Sequence, residues 1–239
     1  MVLPYIQNVT PLILAGGRGT RLHTVVSDRP KVMAFVRGRP FITYIMDQLI
    51  EAGFKQVVLC VGYLAEMMIE TLDYEYRNLS IKYSKEPYAL GTGGAVKHAM
   101  PLIETSQILV MNGDSFIDVD LNDFLVWHFD KKFDISMILS EVSDVSRYGA
   151  VKINDNQVIT DFIEKSTENK PGWVNAGIYL FSSELIDESV PQNVLYSMER
   201  DLLPSLLRKV TIGGYQCKSV LMDIGTPESY KVANQVSDE

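Results

Sequence analysis

Apolar residues in the first half of the chain alternate between short continuous runs and stretches with near-helical spacing. The runs at residues 11–15, 56–61 and 108–112 predict buried strands, and a shorter one begins at Ile81. Apolar positions from 41 to 52 predict a helix that ends at Gly53 in a left-handed cap, and further helices are predicted near 64–73 and from about residue 94. This alternation of strand and helix favours βαβ units in a largely parallel sheet.

The second half of the chain is richer in strand patterns. Strand-like runs begin near residues 135, 148, 157 and 173 with little helix between them, and Asn-Asp-Asn at 154–156 predicts a hairpin turn. A helix near 200–208, a strand at 220–223 and a short last helix follow. The 239 residues, 46% of them hydrophobic, fit one large domain. We therefore predict a single α/β domain over residues 1–239, with a largely parallel central sheet and an antiparallel extension.

Charge and cysteine content narrow the classes of function. The chain has 22 basic and 30 acidic residues, a net charge of −8, which argues against nucleic-acid or anionic-membrane binding. Cys60 and Cys217 form no zinc or disulfide pattern. There is no signal-like leader and no apolar run of the roughly 18 residues that a membrane helix needs. We expect a cytoplasmic protein, with neither nucleic acid nor membrane as partner.

A glycine-rich loop, LAGGRGTR at residues 14–21, follows the first predicted strand. Its glycines fit either a tight turn or a backbone that approaches a ligand closely, and the flanking arginines favour an anion. The Rossmann fingerprint would need glycine in place of Leu22, and no Gly-Lys-Ser/Thr of a P-loop occurs. What remains is a long loop that ends in Arg29-Pro30-Lys31, where the lysine can act as a point charge on phosphate.

Three further stretches carry candidate chemistry. KEPYALGTGGA, at residues 85–95, is either a flexible loop at a helix start or a loop that a flat ligand approaches closely. Asp114 comes just past a predicted strand and Asp223 ends another. An aspartate after Asn-Gly commonly makes a turn, but carboxylates at strand ends also suit Mg²⁺, which prefers oxygen ligands.

LAGGRGTRL followed by RPK resembles the signature of the sugar-1-phosphate nucleotidyltransferases, and LGTGGA, SRYGAVKI and NAGIYLF extend the resemblance along the chain. Enzymes of this family join a nucleoside triphosphate to a sugar 1-phosphate and release pyrophosphate. The resemblance implies a single Rossmann-like nucleotidyltransferase domain with Mg²⁺ as cofactor.

The resemblance also implies roles for individual residues. The catalytic residues would be Arg21, Lys31, Asp114 and Lys165. The nucleotide would contact Leu14, Ala15, Gly16, Gly17, Gly19, Thr20, Arg21, Glu86, Gly91, Thr92 and Gly93. The sugar phosphate would contact Gly149, Glu164, Lys165 and Asn175, and Mg²⁺ would be bound by Asp114 and Asp223.

Within the family, the motifs are most similar to short members that join GTP to a heptose 1-phosphate and produce GDP-heptose. Glu86 is then a candidate acceptor for the N1–H and N2–H donors of guanine. The alternatives are a mannose 1-phosphate guanylyltransferase, a uridylyl- or thymidylyltransferase for another hexose 1-phosphate, and a catalytically silent sugar-nucleotide sensor. The retained Arg21, Lys31 and two aspartates argue against a sensor. The chain lacks the C-terminal β-helix of longer relatives, so a homodimer would have to use the catalytic domain.

Overall fold

The computed structural model describes residues 5–147, 149–163 and 170–235. Its strands are β1 (Val9–Leu14), β2 (Phe35–Val36), β3 (Arg39–Pro40), β4 (Gln56–Val61), β5 (Glu75–Tyr76), β6 (Leu79–Lys85), β7 (Gln107–Asn112), β8 (Ser115–Ile117), β9 (Ile135–Val142), β10 (Ala150–Ile153), β11 (Ile159–Ile163), β12 (Gly172–Ser182), β13 (Ile212–Cys217) and β14 (Leu221–Asp223). Its α-helices are α1 (Ile42–Ala52), α2 (Ala65–Leu72), α3 (Gly91–Ala99), α4 (Leu121–Lys131), α5 (Ser183–Ser189), α6 (Leu203–Leu206) and α7 (Pro227–Gln235). A single π-helical turn, Met198–Leu202, precedes α6.

The central sheet has a parallel half and an antiparallel half. Strands β6, β4, β1 and β7 lie side by side and run parallel. Beyond β7, strand β12 runs antiparallel to it, and β9 and β10 in turn run antiparallel to β12. This arrangement confirms the α/β fold with a largely parallel sheet and an antiparallel extension. Strands β8 and β14 form a separate two-stranded ribbon.

The sheet is buried on both faces. Alternate residues of β1 point to opposite sides, as the strand period of two requires, so that Ile13 packs with α1 and α4 while Leu12 packs with α3 and the 198–206 segment. Burial on both faces explains why β1, β4 and β7 have continuous apolar runs rather than alternating ones. No helix within the described residues is both long enough and apolar enough to cross a membrane.

Helix α1 and its end agree with the sequence pattern. The helix spans Ile42–Ala52, and Gly53 caps it with φ 100°, in the left-handed region that glycine tolerates. The predicted hairpin turn is also confirmed, because β10 and β11 pair across it and Asn154 Oδ1 accepts from the backbone N–H of Asn156 and of Val158, each at 3.0 Å.

Other boundaries differ from the sequence prediction. Helix α3 begins at Gly91 rather than near Gly94, so the glycines of the second glycine loop are helical. Tertiary packing overrides the low helix propensity of glycine there. A Cβ on Gly91 would lie 2.7 Å from the carbonyl oxygen of Tyr196, and a Cβ on Gly94 would lie 2.7 Å from that of Val194. Helix α5 and strand β13 were not predicted, and the helix predicted at 200–208 is a π-helical turn followed by the short α6.

Candidate functional site

A cavity of about 320 Å³ lies where β1, β6 and β7 end, at the carboxyl edge of the parallel strands. Open α/β sheets bind their ligands at this edge. The cavity is lined by Leu14, Ala15, Gly16, Gly17, Arg18, Lys31, Val32, Glu86, Ala89, Gly91, Thr92, Ala95, Asn112, Asp114 and Leu195. The first glycine loop, the second glycine loop and Asp114, which are far apart in the sequence, therefore surround one cavity.

Four larger cavities lie elsewhere among the described residues, two of about 530 and 590 Å³ and two of about 360 and 380 Å³. The first contains Arg39 and Asp47, whose charges already pair with each other. The second lies beside β10 and β12 and includes Trp173. None of the four is lined by residues of the first glycine loop or by Asp114, so the smaller cavity is the candidate site.

The first glycine loop brings the backbone close to Glu86. The loop leaves β1 at Leu14, whose carbonyl accepts from Gly113 N at 2.9 Å. A Cβ on Gly16 would collide with Glu86 Oε1 and would lie 3.3 Å from Gly62 N. Gly17, by contrast, has open space where a Cβ would be. A side chain at position 16 would thus force the Glu86 carboxylate to move, and Gly17 is not restricted in the same way.

We expect Gly16→Ala to lower the melting temperature and to displace Glu86, because the added methyl group has no room beside that carboxylate. Overpacking of this kind typically costs about 1–3 kcal/mol in the free energy of unfolding. Gly17→Ala is the matched comparison, and its melting temperature is expected to stay close to wild type. Equal melting temperatures for the two variants would contradict the close approach of Gly16 to Glu86.

Glu86 follows β6 and carries a carboxylate into a largely apolar cavity. Its Oε2 accepts from Leu90 N at 3.1 Å, which fixes the orientation of the carboxylate. Burial raises the pKa of Glu86, while the hydrogen bond from Leu90 and the charge of His98 lower it. A ligand that donates N–H groups would therefore stabilise the ionised carboxylate, because its hydrogen bonds replace those to water that are lost on burial.

Lys31 and Asp114 line the cavity, and Asp223 lies beside Asp114 rather than in the cavity wall. Lys31 Nζ lies 2.5 Å from Asp114 Oδ2, and only 10% of the Lys31 side chain is exposed. Asp223 comes beside them because β14 pairs with β8 and Ile224 N donates to Asp114 O at 3.0 Å. Burial and the charge of Asp114 raise the pKa of Asp223, and Lys31 lowers it. Two carboxylates and one ammonium thus interact at short range.

The pair of aspartates fits a magnesium ion. Mg²⁺ is commonly held by one or two carboxylates, with waters and substrate phosphates as its other ligands. Asp114 and Asp223 offer this donor set and repel each other until a cation or proton neutralises them. Within the described part of the chain, no group of three or more histidine, cysteine, aspartate or glutamate side chains could hold a metal. The arrangement therefore suits an ion that shares its coordination with substrate.

Other residues predicted for the site lie around the cavity rather than in its wall. Thr20 and Arg21 are exposed on the first glycine loop, and Gly19 packs on Lys31, since a Cβ there would lie 2.9 Å from Lys31 Cβ. Gly93 N already donates to Tyr196 O at 2.9 Å. The roles predicted for these four residues stay predictions.

Only some of the residues predicted to contact the sugar phosphate lie among the described residues. Asn175 lies in β12 at an irregularity of its pairing with β9, and Gly149 immediately precedes β10. Glu164 and Lys165 lie outside the described residues. The roles predicted for Asn175 and Gly149 in binding the sugar phosphate stay predictions.

Several residues of the cavity wall were not predicted from the sequence, among them Leu195 and Asn112. Leu195 is 69% exposed at the cavity, in a segment without any recognisable motif. Asn112 ends β7, and its Oδ1 is buried without a hydrogen-bond partner among the described residues. The strand-end position that singled out Asp114 could have identified Asn112 as well. An unpaired acceptor in the wall of a cavity can accept from a hydroxyl or N–H group of a ligand.

Comparison with known proteins identifies the family. The model of the nucleotidyl transferase family matches residues 10–239. The chain belongs to this family. The matched range contains both glycine loops, Lys31, Asp114 and Asp223.

Similar members of the family include guanylyltransferases. The chain is 34% identical to D-glycero-alpha-D-manno-heptose 1-phosphate guanylyltransferase of Campylobacter jejuni, over 92% of this chain and 96% of that protein. It is 35% identical to the enzyme of the same name from Aneurinibacillus thermoaerophilus, over 94% of this chain and 96% of that protein. A mannose-1-phosphate guanylyltransferase of Mycobacterium tuberculosis is 32% identical, and the match covers 94% of this chain but 63% of that longer protein.

The fold is also that of a solved relative. HddC from Yersinia pseudotuberculosis complexed with GMP-PN superposes with a TM-score of 0.83 and 33% sequence identity, over 95% of this chain and 98% of that one. A putative glucose-1-phosphate thymidylyltransferase from Bacillus anthracis has a TM-score of 0.82 at 20% identity, which shows a shared fold. The nucleotidyl transferase fold therefore extends over nearly the whole chain.

Proposed function

We propose that this chain, as one catalytic domain over residues 1–239, joins GTP and D-glycero-α-D-manno-heptose 1-phosphate to give GDP-heptose and pyrophosphate. The observation that carries the proposal is that Lys31 and Asp114 pair in the wall of a cavity that both glycine loops also line, while the pairing of β14 with β8 holds Asp223 beside Asp114. The relatives from Campylobacter jejuni and Aneurinibacillus thermoaerophilus support the sugar, and the GMP-PN complex of HddC supports the guanine nucleotide.

The chemistry asks for positioning and charge neutralisation rather than for a protein nucleophile. A phosphate oxygen of the sugar 1-phosphate forms a bond to the α-phosphorus of GTP, and the bond from that phosphorus to the β-phosphate oxygen breaks. The sugar phosphate is already ionised near neutral pH, so no general base is required. Pyrophosphate leaves with the electron pair of the broken bond.

Each group near the cavity has a place in this step. Lys31 meets the negative charge on the α-phosphate, and the first glycine loop with Arg21 holds the β- and γ-phosphates. Asp114 and Asp223 would hold Mg²⁺, which would supply further neutralisation of phosphate charge. Lys165 orients the sugar phosphate, and Glu164 and Asn175 bind hydroxyl groups of the sugar, as the family resemblance implies.

Guanine recognition is assigned to Glu86. We expect Glu86→Gln to lower kcat/KM for GTP by about 10- to 100-fold, because a hydrogen bond to a charged group contributes about 1.5–3 kcal/mol. Inosine triphosphate, which lacks the 2-amino group, is the matched substrate: the wild type is expected to use it less well than GTP, and the variant to lose most of this preference. An unchanged preference in the variant would contradict the assignment.

The Glu86 carboxylate is also expected to make the affinity for GTP depend on pH. Because burial raises the pKa of Glu86, the empty protein protonates this group at a higher pH than an exposed glutamate. GTP needs the ionised form, so its affinity is expected to fall as the pH decreases through that raised pKa. Binding titrations across acidic pH test this, with Glu86→Gln as control for titration of the nucleotide itself. A wild-type affinity that follows the variant at every pH would contradict the role of Glu86.

A panel of substrates tests the proposed function. Pyrophosphate release is measured with GTP, UTP and dTTP, each against heptose 1-phosphate, mannose 1-phosphate and glucose 1-phosphate. The proposal predicts the highest kcat/KM for GTP with heptose 1-phosphate. A preference for mannose 1-phosphate or for UTP or dTTP would replace the proposed substrates, and GTP binding without turnover of any sugar would favour a sensor.

A further inference from the structure

Glu199 joins α3, which lines the candidate site, to β12, which carries Asn175. The residue belongs to the π-helical turn, and its carboxylate accepts three hydrogen bonds. Its Oε2 accepts from Thr92 Oγ1 at 2.7 Å and from Ser197 Oγ at 3.1 Å. Its Oε1 accepts from Tyr179 OH at 3.2 Å. One side chain thus connects α3 with β12.

The connection to α3 reaches the nucleotide side of the cavity. Thr92 lies in the first turn of α3 and lines the cavity. Besides donating to Glu199, its Oγ1 accepts from Met198 N at 2.8 Å. The N–H groups of the two following glycines both donate to Tyr196 O, at 2.9 and 3.0 Å. The segment 196–199 and the start of α3 are therefore held together as one unit.

The connection to β12 reaches the sugar side. Tyr179 is fully buried, and its hydroxyl accepts from Asn175 Nδ2 at 2.6 Å while donating to Glu199. Asn175 Oδ1 in turn accepts from Gly177 N at 2.9 Å. A Cβ on Gly177 would lie 2.7 Å from Ser115 Oγ, next to Asp114 in the chain. The chain of hydrogen bonds ends beside the strand that follows Asp114.

We propose that Glu199 is a positioning residue that couples the binding of the nucleotide to the binding of the sugar phosphate. This inference rests on the proposed function, since it takes Thr92 as part of the nucleotide wall and Asn175 as a sugar contact. A nucleotide that fixes Thr92 also fixes Glu199, Tyr179 and the Asn175 amide, so the sugar phosphate meets an already ordered partner. The first ligand supplies the free energy that orders these side chains, so the second ligand binds more tightly. This is positive cooperativity.

The test measures coupling by direct binding. The dissociation constant of D-glycero-α-D-manno-heptose 1-phosphate is measured by calorimetry with and without saturating α,β-methylene GTP, which cannot release pyrophosphate. The ratio of the two constants is the coupling factor, and factors of about 5- to 150-fold are typical of coupled sites. The variants are Glu199→Gln and Tyr179→Phe, which break different bonds of the same chain with little change of shape.

Thr10→Val is the matched control. It removes a side-chain hydrogen bond of similar length, the 2.7 Å contact between Thr10 and Thr105, away from the cavity wall. Melting temperatures of all three variants report any general loss of stability. A role limited to stability would lower the melting temperature and leave the coupling factor as it is in the wild type.

We expect the coupling factor to fall by at least about threefold in Glu199→Gln and in Tyr179→Phe, and to stay unchanged in Thr10→Val. The double variant is expected to lose little more than either single variant, because both act on one chain of bonds. Unchanged coupling in both single variants would overturn the inference while leaving the proposed function intact. A wild type that binds neither ligand would contradict the proposed function, and the inference with it.

Discussion

Asp114→Asn is expected to lower kcat for pyrophosphate release by at least about 10³-fold, because charge stabilisation by a bound metal ion is worth several kcal/mol in the transition state. The asparagine keeps the shape of the side chain but loses the negative charge that would hold Mg²⁺. The variant is expected to fold, since 38% of the Asp114 side chain is exposed and solvent screens its ion pair with Lys31. Steady-state kinetics at saturating Mg²⁺ measure the loss.

Asp161→Asn is the matched control for this experiment. Asp161 lies in β11, is 52% exposed and pairs with Lys152 at 3.7 Å, so that it offers the same chemical change away from the cavity. Its kcat is expected to equal that of the wild type. Pyrophosphate release at the wild-type rate by the folded Asp114 variant would contradict the metal assignment.

Lys31→Met is expected to lower kcat/KM by about 10²- to 10³-fold, the usual effect of removing one preorganised donor to developing charge. Methionine retains an apolar stem of similar length, so the packing of the Lys31 stem against the first glycine loop is largely kept. The variant loses the ammonium that meets the α-phosphate. Initial rates with GTP and heptose 1-phosphate measure the effect.

Lys82→Met controls for the loss of a positive charge in general. Lys82 lies in β6 and pairs with Glu104 at 2.9 Å on the surface, where 77% of the Glu104 side chain is exposed. Its rate is expected to stay at the wild-type value. If Lys31→Met retained full kcat/KM, the ammonium would have no part in the transition state and the assignment of Lys31 would fail.

The sequence predicts most of the parallel sheet because those strands are buried on both faces. The continuous apolar run of β4 over Gln56–Val61 matches the observed strand at both ends. The same reasoning missed β13, where Gly213 and Gly214 interrupt the apolar pattern. These glycines are explained by packing, since a Cβ on Gly214 would lie 2.7 Å from Leu139 Cδ1. Only the folded neighbourhood shows that requirement.

The candidate site, too, depends on contacts that only the folded structure shows. Strand ends point to Asp114 and Asp223 from local pattern alone, but the pairing of β14 with β8 that brings them together is a long-range contact. The contact of Glu199 could not be predicted from the sequence, because its partner Thr92 lies 107 positions away and neither residue belongs to a motif that predicts the bond. Leu195 likewise reaches the cavity through packing of its segment on α3.

The most direct test of the central claim is the product of one reaction. The wild-type protein is incubated with Mg²⁺, GTP and D-glycero-α-D-manno-heptose 1-phosphate, and both products are quantified by mass spectrometry and a pyrophosphate assay. The account predicts GDP-heptose and pyrophosphate in equal amounts, with neither formed when the sugar phosphate is left out. Release of pyrophosphate without the sugar phosphate, or no nucleotide sugar from any sugar 1-phosphate of the panel, would contradict it.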